Sequence, residues 1–268
     1  MNNLTVVCLT KSYRLDDFIC WFNHYKKLGC NIVIYDNEST VDIKSYVIEN
    51  GGTYNKINGW PNQWVLFDKI LNNNNTLNLD IDDFITFLDD DEYLWYDKLT
   101  YASINESIRH YFKQLDSLLV PEILMSSKRL LTTRKGTVID ELYYRRSDYS
   151  SQGKAIIRYN PGTKYKFNHN SFERGHVPKI NTIRMSEVVS DVPGNNISKT
   201  TYGVTGYECG LRLYHYHIKS KQDWEIKINR GSAATKNDGV KNGSYDEDIR
   251  KNKKFGNYEV PDFALKNF

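Results

Sequence analysis

LTVVCLTKSYRLDDFICWFNHYKKLGCNIVIY, residues 4–35, determines how this chain folds. It opens with a short, apolar, β-branched run that is typical of a strand buried on both faces. Phe18, Phe22 and Tyr25 then recur at the i, i+4, i+7 spacing of a helix, which Gly29 ends. A second apolar run, NIVIY, closes the stretch and predicts another buried strand. Strand, helix and strand at this spacing predict a βαβ unit with two parallel strands.

The same criteria extend the α/β pattern through most of the chain. Residues 36–40 are polar and predict a loop, and Pro121 is expected to break the strand around it. A loop is also predicted at 186–206, and a flexible tail at 236–254. Further helices are predicted at 41–49, 64–71, 104–115 and 221–229, and further strands at 53–57, 84–88, 117–125, 154–158 and 211–217. This alternation of helices and strands predicts an α/β fold with a mostly parallel central sheet flanked by helices.

Length and composition limit the kinds of protein that this chain can be. The chain has 268 residues, with 36 Lys and Arg against 33 Asp and Glu, so its formal net charge is +3. That length fits one large domain with a buried core, and the near-balanced charge disfavours a dedicated nucleic-acid binder. Aromatic residues make up 13% of the chain, including 20 Tyr and 5 Trp. Rings with polar tips suit sugar and base faces, and they suit a core equally well.

Cysteine usage and the first residues bear on location. Cys8, Cys20, Cys30 and Cys209 include no C-x-x-C pair, and three of them fall in predicted strands and a helix. This favours buried thiols in a reducing compartment over a disulfide framework or a zinc knuckle. Residues 1–10 lack the basic leader of a signal peptide, and the sequence has no membrane-spanning apolar run of about 18–20 residues. We expect a cytoplasmic protein, with peripheral attachment to a membrane as the alternative.

The most pronounced local feature is the carboxylate run DDDE at 89–92, directly after an apolar strand. If the strand alternation continues, Asp89 and Asp91 share one face and Asp90 points to the other. Adjacent carboxylates repel unless a cation lies between them, and a hard divalent ion, Mg²⁺ or Mn²⁺, is the expected occupant. Ligands of open α/β sheets bind at this end of the strands. A solvated acidic turn is the alternative.

Two histidines on a late predicted strand complement the acidic cluster. His215 and His217 suit the same ion because Mn²⁺ accepts imidazole as well as carboxylate ligands. A structural role for either histidine is the alternative.

Five segments, in order, resemble motifs of the family-92 and family-2-like glycosyltransferases of the GT-A fold. Members of that group carry W-x₇-G, Y-D-N-x-S-x-D, F-x-D-x-D-E-F, K-S-I-V-R, and H-Y-x-x-K-S followed by R-G. The matching segments here are WFNHYKKLG at 21–29, YDNESTVD at 35–42, FLDDDEYL at 87–94, KAIIR at 154–158, and HYHIKS with KINRG between 215 and 231.

This resemblance implies a single Rossmann-like GT-A domain at 1–235. Its first half, 1–100, is expected to bind a nucleotide sugar, and its second half, 101–235, an acceptor. Residues 236–268 are expected to form a partly flexible C-terminal extension.

Site residues are implied where the motifs match. By the resemblance, Asp91 holds the metal that bridges a diphosphate, with His215 and then His217 as further ligands. Asp36 is implied to lie near the base and Asp89 near the ribose of the donor. The remaining positions implied to bind the nucleotide sugar are Thr10, Asp90, Lys154, Lys219 and Arg230.

The implied activity is metal-dependent transfer of a sugar from a nucleotide-diphosphate sugar, UDP-linked, to the hydroxyl of a glycan, a lipid-linked or another acceptor. We expect inversion, with Mn²⁺ or Mg²⁺ as cofactor and a carboxylate that removes the acceptor proton. Asp140 and Glu141 are the preferred bases because VIDE at 138–141 is similar to a V-I-E segment of the family. Asp148 and Glu173 are further candidates.

The chain departs from the family pattern in three places. Tyr13 stands where the family's K-N-E has an acid, His24-Tyr25 inverts a Y-H pair, and Tyr159 replaces the proline of an R-P. The missing acid suggests a second hypothesis, a non-catalytic nucleotide- or carbohydrate-binding module of the same fold. A metal-dependent phosphohydrolase built on the acidic cluster is a third.

Overall fold

A computed structural model of the chain describes residues 3–59, 63–73, 77, 79–112, 117–125, 132, 135–141, 144–146, 153–160, 165–167, 178–180, 210–217, 219–230 and 259–261. Its helices are α1 (Leu15–Lys27), α2 (Lys44–Glu49), α3 (Gln63–Asn72), α4 (Ile104–Phe112), α5 (Val138–Glu141) and α6 (Lys221–Arg230). Its strands are β1 (Leu4–Thr10), β2 (Asn31–Asn37), β3 (Thr53–Ile57), β4 (Phe84–Leu88), β5 (Glu92–Tyr96), β6 (Ser117–Leu124), β7 (Tyr144–Arg146), β8 (Gly153–Arg158), β9 (Tyr165–Phe167), β10 (Pro178–Ile180), β11 (Leu211–His215) and β12 (Glu259–Pro261).

The predicted βαβ unit is confirmed. β1 and β2 pair in parallel, with Val6 opposite Ile32, and α1 connects them. The chain leaves α1 at Gly29, whose φ of 74° lies in the left-handed region that glycine adopts without steric cost. Phe18 and Phe22 are completely buried, as the helical spacing predicts.

Eight strands form one sheet in the order β3-β2-β1-β4-β8-β6-β11-β5. β3, β2, β1 and β4 are parallel to one another, and so are β6 and β11. β8 and β5 run antiparallel to their neighbours. The predicted α/β fold, a single domain with a mostly parallel central sheet flanked by helices, is therefore confirmed. Because parallel strands end at the same edge, the residues that follow β1 and β4 meet there.

Apolar residues cover both faces of this sheet. Every residue of β1 is buried, and its side chains alternate between two core clusters. Val6 packs in the cluster that contains Trp21 of α1, whereas Val7 packs in the cluster that contains Phe67 of α3. Burial of β1 on both faces explains its continuous apolar sequence.

β5, at the edge of the sheet, was not among the predicted strands, and aromatic residues of α1 hold it in place. Trp21 Nε1–H and the Tyr25 hydroxyl each donate to the Glu92 carbonyl oxygen at 2.9 Å. The Tyr25 hydroxyl also accepts from Leu94 N–H at 2.8 Å, and His24 Nε2 lies 2.7 Å from the Leu94 carbonyl oxygen. The His24-Tyr25 pair, a departure from the family pattern, therefore fixes the strand that Glu92 begins.

Two predicted boundaries are wrong for reasons of strand pairing. β2 continues through Asn37, because β3 pairs with it along its whole carboxyl half. β6 is not broken at Pro121, which pairs with Gly153 at the end of the β8 ladder, one residue before the β11 ladder begins at Glu122. Proline has no N–H to donate, and it is tolerated there because the ladder with β8 ends at this residue and the ladder with β11 begins at the next. The other predicted elements are present, with ends shifted by a few residues.

Several predictions fall partly or wholly outside the described residues. These include the candidate bases Asp148 and Glu173, the loop at 186–206, Cys209, the domain boundary at 235 and the tail at 236–254. Within the predicted extension, β12 pairs antiparallel with β7. Cys8, Cys20 and Cys30 form no disulfide within the described part of the chain. Among the described helices, none combines the length and apolarity that a membrane crossing requires.

Candidate active site

The carboxylate run lies in a tight turn between β4 and β5. β4 ends at Leu88, β5 begins at Glu92, and the Glu92 N–H donates to the Asp89 carbonyl oxygen at 3.1 Å. The expectation that Asp89 and Asp91 share one face of a continuing strand is wrong, because the strand ends before them. Each aspartate side chain instead meets a partner from a different part of the sequence.

Asp89 and Glu92 share a buried lysine from β8. Lys154 Nζ lies 2.9 Å from Asp89 Oδ2 and 3.2 Å from Glu92 Oε2. Glu92 is 1% exposed, and burial raises its pKa to about 7 against the opposing effect of Lys154. Burial lowers the pKa of the Lys154 amine, but the carboxylates of Asp89 and Glu92 outweigh this and hold that pKa above its usual value. Lys154 thus offsets the negative charge of the first and last carboxylates of the acidic turn.

Asp90 is held by the end of β1. The Thr10 hydroxyl, which is buried, donates to Asp90 Oδ2 at 2.6 Å. This contact is possible because β1 and β4 are paired neighbours, so the turn after β4 lies beside the last residue of β1. The hydrogen bond restricts the Asp90 carboxylate to one orientation at the strand ends.

Asp91 meets cationic side chains from two late segments. Lys227 Nζ of α6 lies 3.1 Å from Asp91 Oδ2, and His215 Nε2 of β11 lies 3.5 Å from Asp91 Oδ1. Burial raises the pKa of Asp91, but Lys227 and His215 outweigh it and hold that pKa well below its usual value. Asp91 is therefore a buried carboxylate that stays ionised at neutral pH.

His215 is fixed through its backbone and its ring. Its carbonyl oxygen accepts from Met125 N–H at 2.9 Å, and the next residue, Tyr216, donates its N–H to the Asp91 carbonyl oxygen at 2.8 Å. Its Nδ1 lies 2.7 Å from Glu122 Oε2 of β6. Burial lowers the pKa of His215, but the carboxylates of Asp91 and Glu122 outweigh this and hold it well above its usual value.

An open cleft of about 400 Å³, a volume that includes solvent at its mouth, lies at this end of the sheet. Its lining combines the carboxylates of Asp90 and Asp91 with His217, Lys219 and Lys227. Negative and basic groups therefore face the same space. Such a cleft suits a ligand that carries a cation and an anion together.

One wall of the cleft is a hydrogen-bonded network between the start of α6 and the segment that enters α1. The Tyr13 hydroxyl donates to Asp223 Oδ1 at 3.0 Å, and Lys219 Nζ donates to Asp17 Oδ2 at 3.0 Å. Ser220 Oγ accepts from Asp223 N–H at 3.0 Å and donates to Asp223 Oδ2 at 2.7 Å, a capping arrangement that starts α6. Asp17 and Asp223 are both buried, so the network is a fixed part of the wall.

His217 also lines the cleft, two residues after His215. Its ring centroid lies 5.3 Å from that of His215 and 5.8 Å from that of Trp224. Both ring pairs are edge-to-face, which is a favourable geometry for aromatic contacts. The two histidines therefore lie side by side, with His217 nearer the α6 wall.

Asp36 lies near the end of β2, two strands from the acidic turn. Its Oδ1 accepts from Ser39 N–H at 2.9 Å, and its Oδ2 accepts from the Tyr54 hydroxyl at 2.7 Å. Burial and then the hydrogen bond to Asp36 raise the pKa of Tyr54 to about 12. These contacts hold the Asp36 carboxylate in a single position.

Three further predicted site residues are described by their backbone alone. Asp140 and Glu141 end the short helix α5, and Arg230 ends α6. Their side chains lie outside the described part of the structure. Their assigned roles therefore stay predictions.

The site contains residues to which the motifs assigned no role, above all Lys227, Asp223 and Glu122. Asp223 and Lys227 share one face of α6, at the i, i+4 spacing, and both line the cleft. That spacing was available from the sequence as a signal. Glu122 had no such signal, because it meets His215 across 93 positions of sequence.

The residues present fit a divalent metal. Ligand atoms of Glu92, Glu122 and His215 all lie within 4.8 Å of one another, so this group can hold an ion. Asp91, whose Oδ1 lies 3.5 Å from His215 Nε2, adds a carboxylate on the cleft side of the same histidine. Mixed carboxylate and imidazole donors suit Mn²⁺, which accepts both, better than Mg²⁺, which prefers oxygen.

Comparison with known proteins leaves the family open. No protein-family model and no curated protein matches the chain. The crystal structure of S. aureus TarS 1–349 matches at 18% identity and a TM-score of 0.31, over 59% of this chain and 47% of that one. The same TarS in complex with UDP-GlcNAc matches at 14% identity and a TM-score of 0.29, over 59% and 46%. The chain thus matches about half the length of TarS 1–349, and the fold assignment depends on the strand order rather than on this likeness.

Proposed function

We propose that the protein is a metal-dependent glycosyltransferase of the GT-A fold, which moves a sugar from a UDP-linked donor to an acceptor hydroxyl with inversion. The ordered motifs that resemble the family-92 and family-2-like enzymes support this proposal. The observation that carries it is the lining of the cleft, where Asp90 and Asp91 lie with Lys219 and Lys227 beside the ends of β1 and β4. A metal–diphosphate complex carries charges of both signs and needs both kinds of residue.

The basic side chains act on the leaving group in this proposal. When the sugar leaves, negative charge grows on the oxygen of the nucleoside diphosphate, and nearby cations stabilise that charge. Lys219 and Lys227 line the cleft and have amines that donate charge-assisted hydrogen bonds. Arg230 is assigned the same role, because its backbone lies one helical turn beyond that of Lys227 on α6.

Asp91, His215 and His217 are the residues that would hold the metal. They combine one carboxylate with two imidazoles, and Asp91 and His217 both line the cleft. When bound, Mn²⁺ or Mg²⁺ supplies Lewis-acid stabilisation of the diphosphate oxygens. The protein residues contribute by keeping Asp91 ionised and by fixing the ring of His215.

The donor is held by the strand ends in this proposal. Asp36 is assigned to the base, Asp89 to the ribose, and Thr10 and Asp90 to the sugar-nucleotide side of the cleft. Lys154 supports the donor site indirectly in this proposal. Its amine contacts the carboxylates of Asp89 and Glu92 rather than the cleft.

A carboxylate in the acceptor half removes the proton of the attacking hydroxyl. Asp140 and Glu141 of α5 are the proposed candidates. In an inverting reaction this base and the departing diphosphate lie on opposite sides of the sugar, so no covalent intermediate forms.

The test combines binding and turnover. Calorimetry measures UDP binding with and without Mn²⁺, and product release is followed with a panel of UDP-sugars and GDP-sugars. Asp91→Ala is expected to abolish Mn²⁺-dependent binding and turnover. Asp80→Ala, an exposed aspartate in the turn before β4, is the matched control and is expected to leave both unchanged.

Three outcomes would redirect the assignment. Full turnover by Asp91→Ala shows that the metal role is wrong. Nucleotide binding without turnover on any acceptor or water indicates a binding module of the same fold. Phosphate release from simple esters, without a sugar donor, indicates a phosphohydrolase.

A further inference from the structure

We infer that Glu122 is a positioning residue of the metal site, which orients His215 so that its Nε2 faces Asp91. This inference rests on the proposed function, because it assigns His215 and Asp91 to the metal. Glu122 itself belongs to none of the motifs that suggested the site. Its role follows from the contacts of β6 and β11.

The backbone of β11 leaves the His215 ring little freedom. β11 pairs with β6 on one side and with β5 on the other, and His215 is opposite Leu124 in the first ladder and Glu92 in the second. The histidine carbonyl oxygen is also hydrogen-bonded to Met125. Rotation of the side chain is then the main remaining freedom, and the 2.7 Å contact of Nδ1 with Glu122 Oε2 sets it.

This contact selects the nitrogen that is available to a metal. A neutral imidazole binds a metal through one ring nitrogen and keeps its proton on the other. Because Glu122 accepts a hydrogen bond from Nδ1–H, Nε2 is the nitrogen that would give up its proton and offer its lone pair to the ion. Nε2 lies 3.5 Å from Asp91 Oδ1, and the two atoms can therefore share one ion. A carboxylate behind a ligating histidine fixes its orientation and strengthens it as a donor.

Glu92, Glu122 and His215 lie close enough together to hold an ion, but the contacts in the structure favour a positioning role for Glu122 over direct ligation. Two donor atoms on one ion, each about 2.1 Å from it at the usual angles, lie about 3 Å or more apart. Glu122 Oε2 and His215 Nδ1 are 2.7 Å apart, which is a hydrogen-bond distance. The other nearby carboxylate, Glu92, already pairs with Lys154 at 3.2 Å. The side of the ring toward Asp91 and the cleft is the better place for a cation.

The test measures Mn²⁺ affinity directly, by electron paramagnetic resonance of the free ion, in the full chain. Glu122→Met keeps the side-chain volume but accepts no hydrogen bond, and its Mn²⁺ dissociation constant is expected to rise about 10- to 100-fold. Glu122→Gln still offers an amide oxygen to Nδ1–H, so it is expected to lose only a small part of the affinity. Asp91→Asn is the loss-of-ligand reference, and Glu49→Gln, on the exposed side of α2, is the control.

Each outcome bears on a different claim. Wild-type affinity in Glu122→Met overturns the positioning role. An equally large loss in Glu122→Gln and Glu122→Met, similar to that of Asp91→Asn, makes Glu122 a ligand and also overturns it. No Mn²⁺ binding by the unchanged protein overturns the metal assignment of the proposed function, and this inference with it. Thermal unfolding checks that each variant folds. If Glu122→Met does not fold, the Mn²⁺ affinities of Glu122→Gln and Asp91→Asn are compared instead, and this comparison still separates positioning from ligation.

Discussion

Replacing His24 with glutamine should make the protein more resistant to mild acid. His24 is 5% exposed, and its Nε2 lies 2.7 Å from the Leu94 carbonyl oxygen, so the neutral ring donates to the backbone of β5. Burial lowers its pKa from 6.5 to about 4, and the charges of Lys98 and Lys27 act in the same direction. The amide of a glutamine side chain can donate the same hydrogen bond without taking up a proton.

The size of the effect follows from the two pKa values. In the unfolded chain His24 takes up a proton as the pH falls below about 6.5, whereas in the folded protein it does so only near pH 4. The unfolded state therefore binds more protons between these values, and stability is lost as the pH falls. At 1.36 kcal/mol per pH unit, His24 costs about 2 kcal/mol by pH 5 and about 3 kcal/mol by pH 4.

Urea unfolding of both proteins at pH 7.5 and pH 5 measures this difference. Glu92 titrates in the same range with the opposite sign, because its folded pKa is raised to about 7 and its contribution is lost as the pH rises. That contribution is the same in both proteins and cancels when their free energies of unfolding are subtracted. We expect the subtracted value to shift by about 2 kcal/mol in favour of His24→Gln at pH 5. A difference that stays constant with pH would refute the assignment of a buried, neutral His24.

Three further substitutions test other parts of the structure. Lys154→Met leaves Glu92 buried without its nearest cation, so the free energy of unfolding measured in urea at pH 8 should fall by about 3–5 kcal/mol. The loss should shrink at pH 6, because the Glu92 carboxyl takes up a proton there. A loss of the same size at both pH values would argue against that pairing. Gly52→Ala puts a methyl carbon 2.8 Å from a ring carbon of Phe22, and calorimetry should show a lower melting temperature, equivalent to about 1–3 kcal/mol. Lys227→Met removes an amine from the cleft, and the UDP affinity measured in Mn²⁺ should fall about tenfold or more while Mn²⁺ affinity alone does not weaken.

Local patterns in the sequence were sufficient for the first half of the fold. β1, α1 and β2 each carry a period of their own, so their existence needed no knowledge of the neighbours. The end of β2 was missed because Asp36 and Asn37 are polar, and only pairing with β3 makes them strand residues. β5 was missed for a similar reason. It pairs with β11, which lies more than a hundred positions later in the sequence, and α1 holds it from the other side.

The acidic turn was visible in the sequence as a candidate site, but its partners were not. Lys154 was assigned to the nucleotide sugar by resemblance, whereas its amine lies beneath the turn, against Asp89 and Glu92. Lys227 was part of a quoted motif but was given no role. Its place beside Asp91 follows from the docking of α6 against the strand ends, which no local pattern predicts.

The pairing of acidic and basic groups also determines how the site can be dissected. The three aspartates of the turn are matched by Thr10, Lys154 and Lys227, which come from the beginning, the middle and the end of the chain. A net charge of +3 therefore says little about the site, because opposite charges that are distant in sequence balance one another within the fold. Thr10, Lys154 and Asp91 are buried, so removing the group opposite any one of them leaves a buried polar or charged side chain without that partner, and the measured loss combines the role of the group with this cost. Single substitutions in the turn will overstate individual roles for this reason, and only double substitutions of contacting pairs separate a contribution to the reaction from a contribution to the fold.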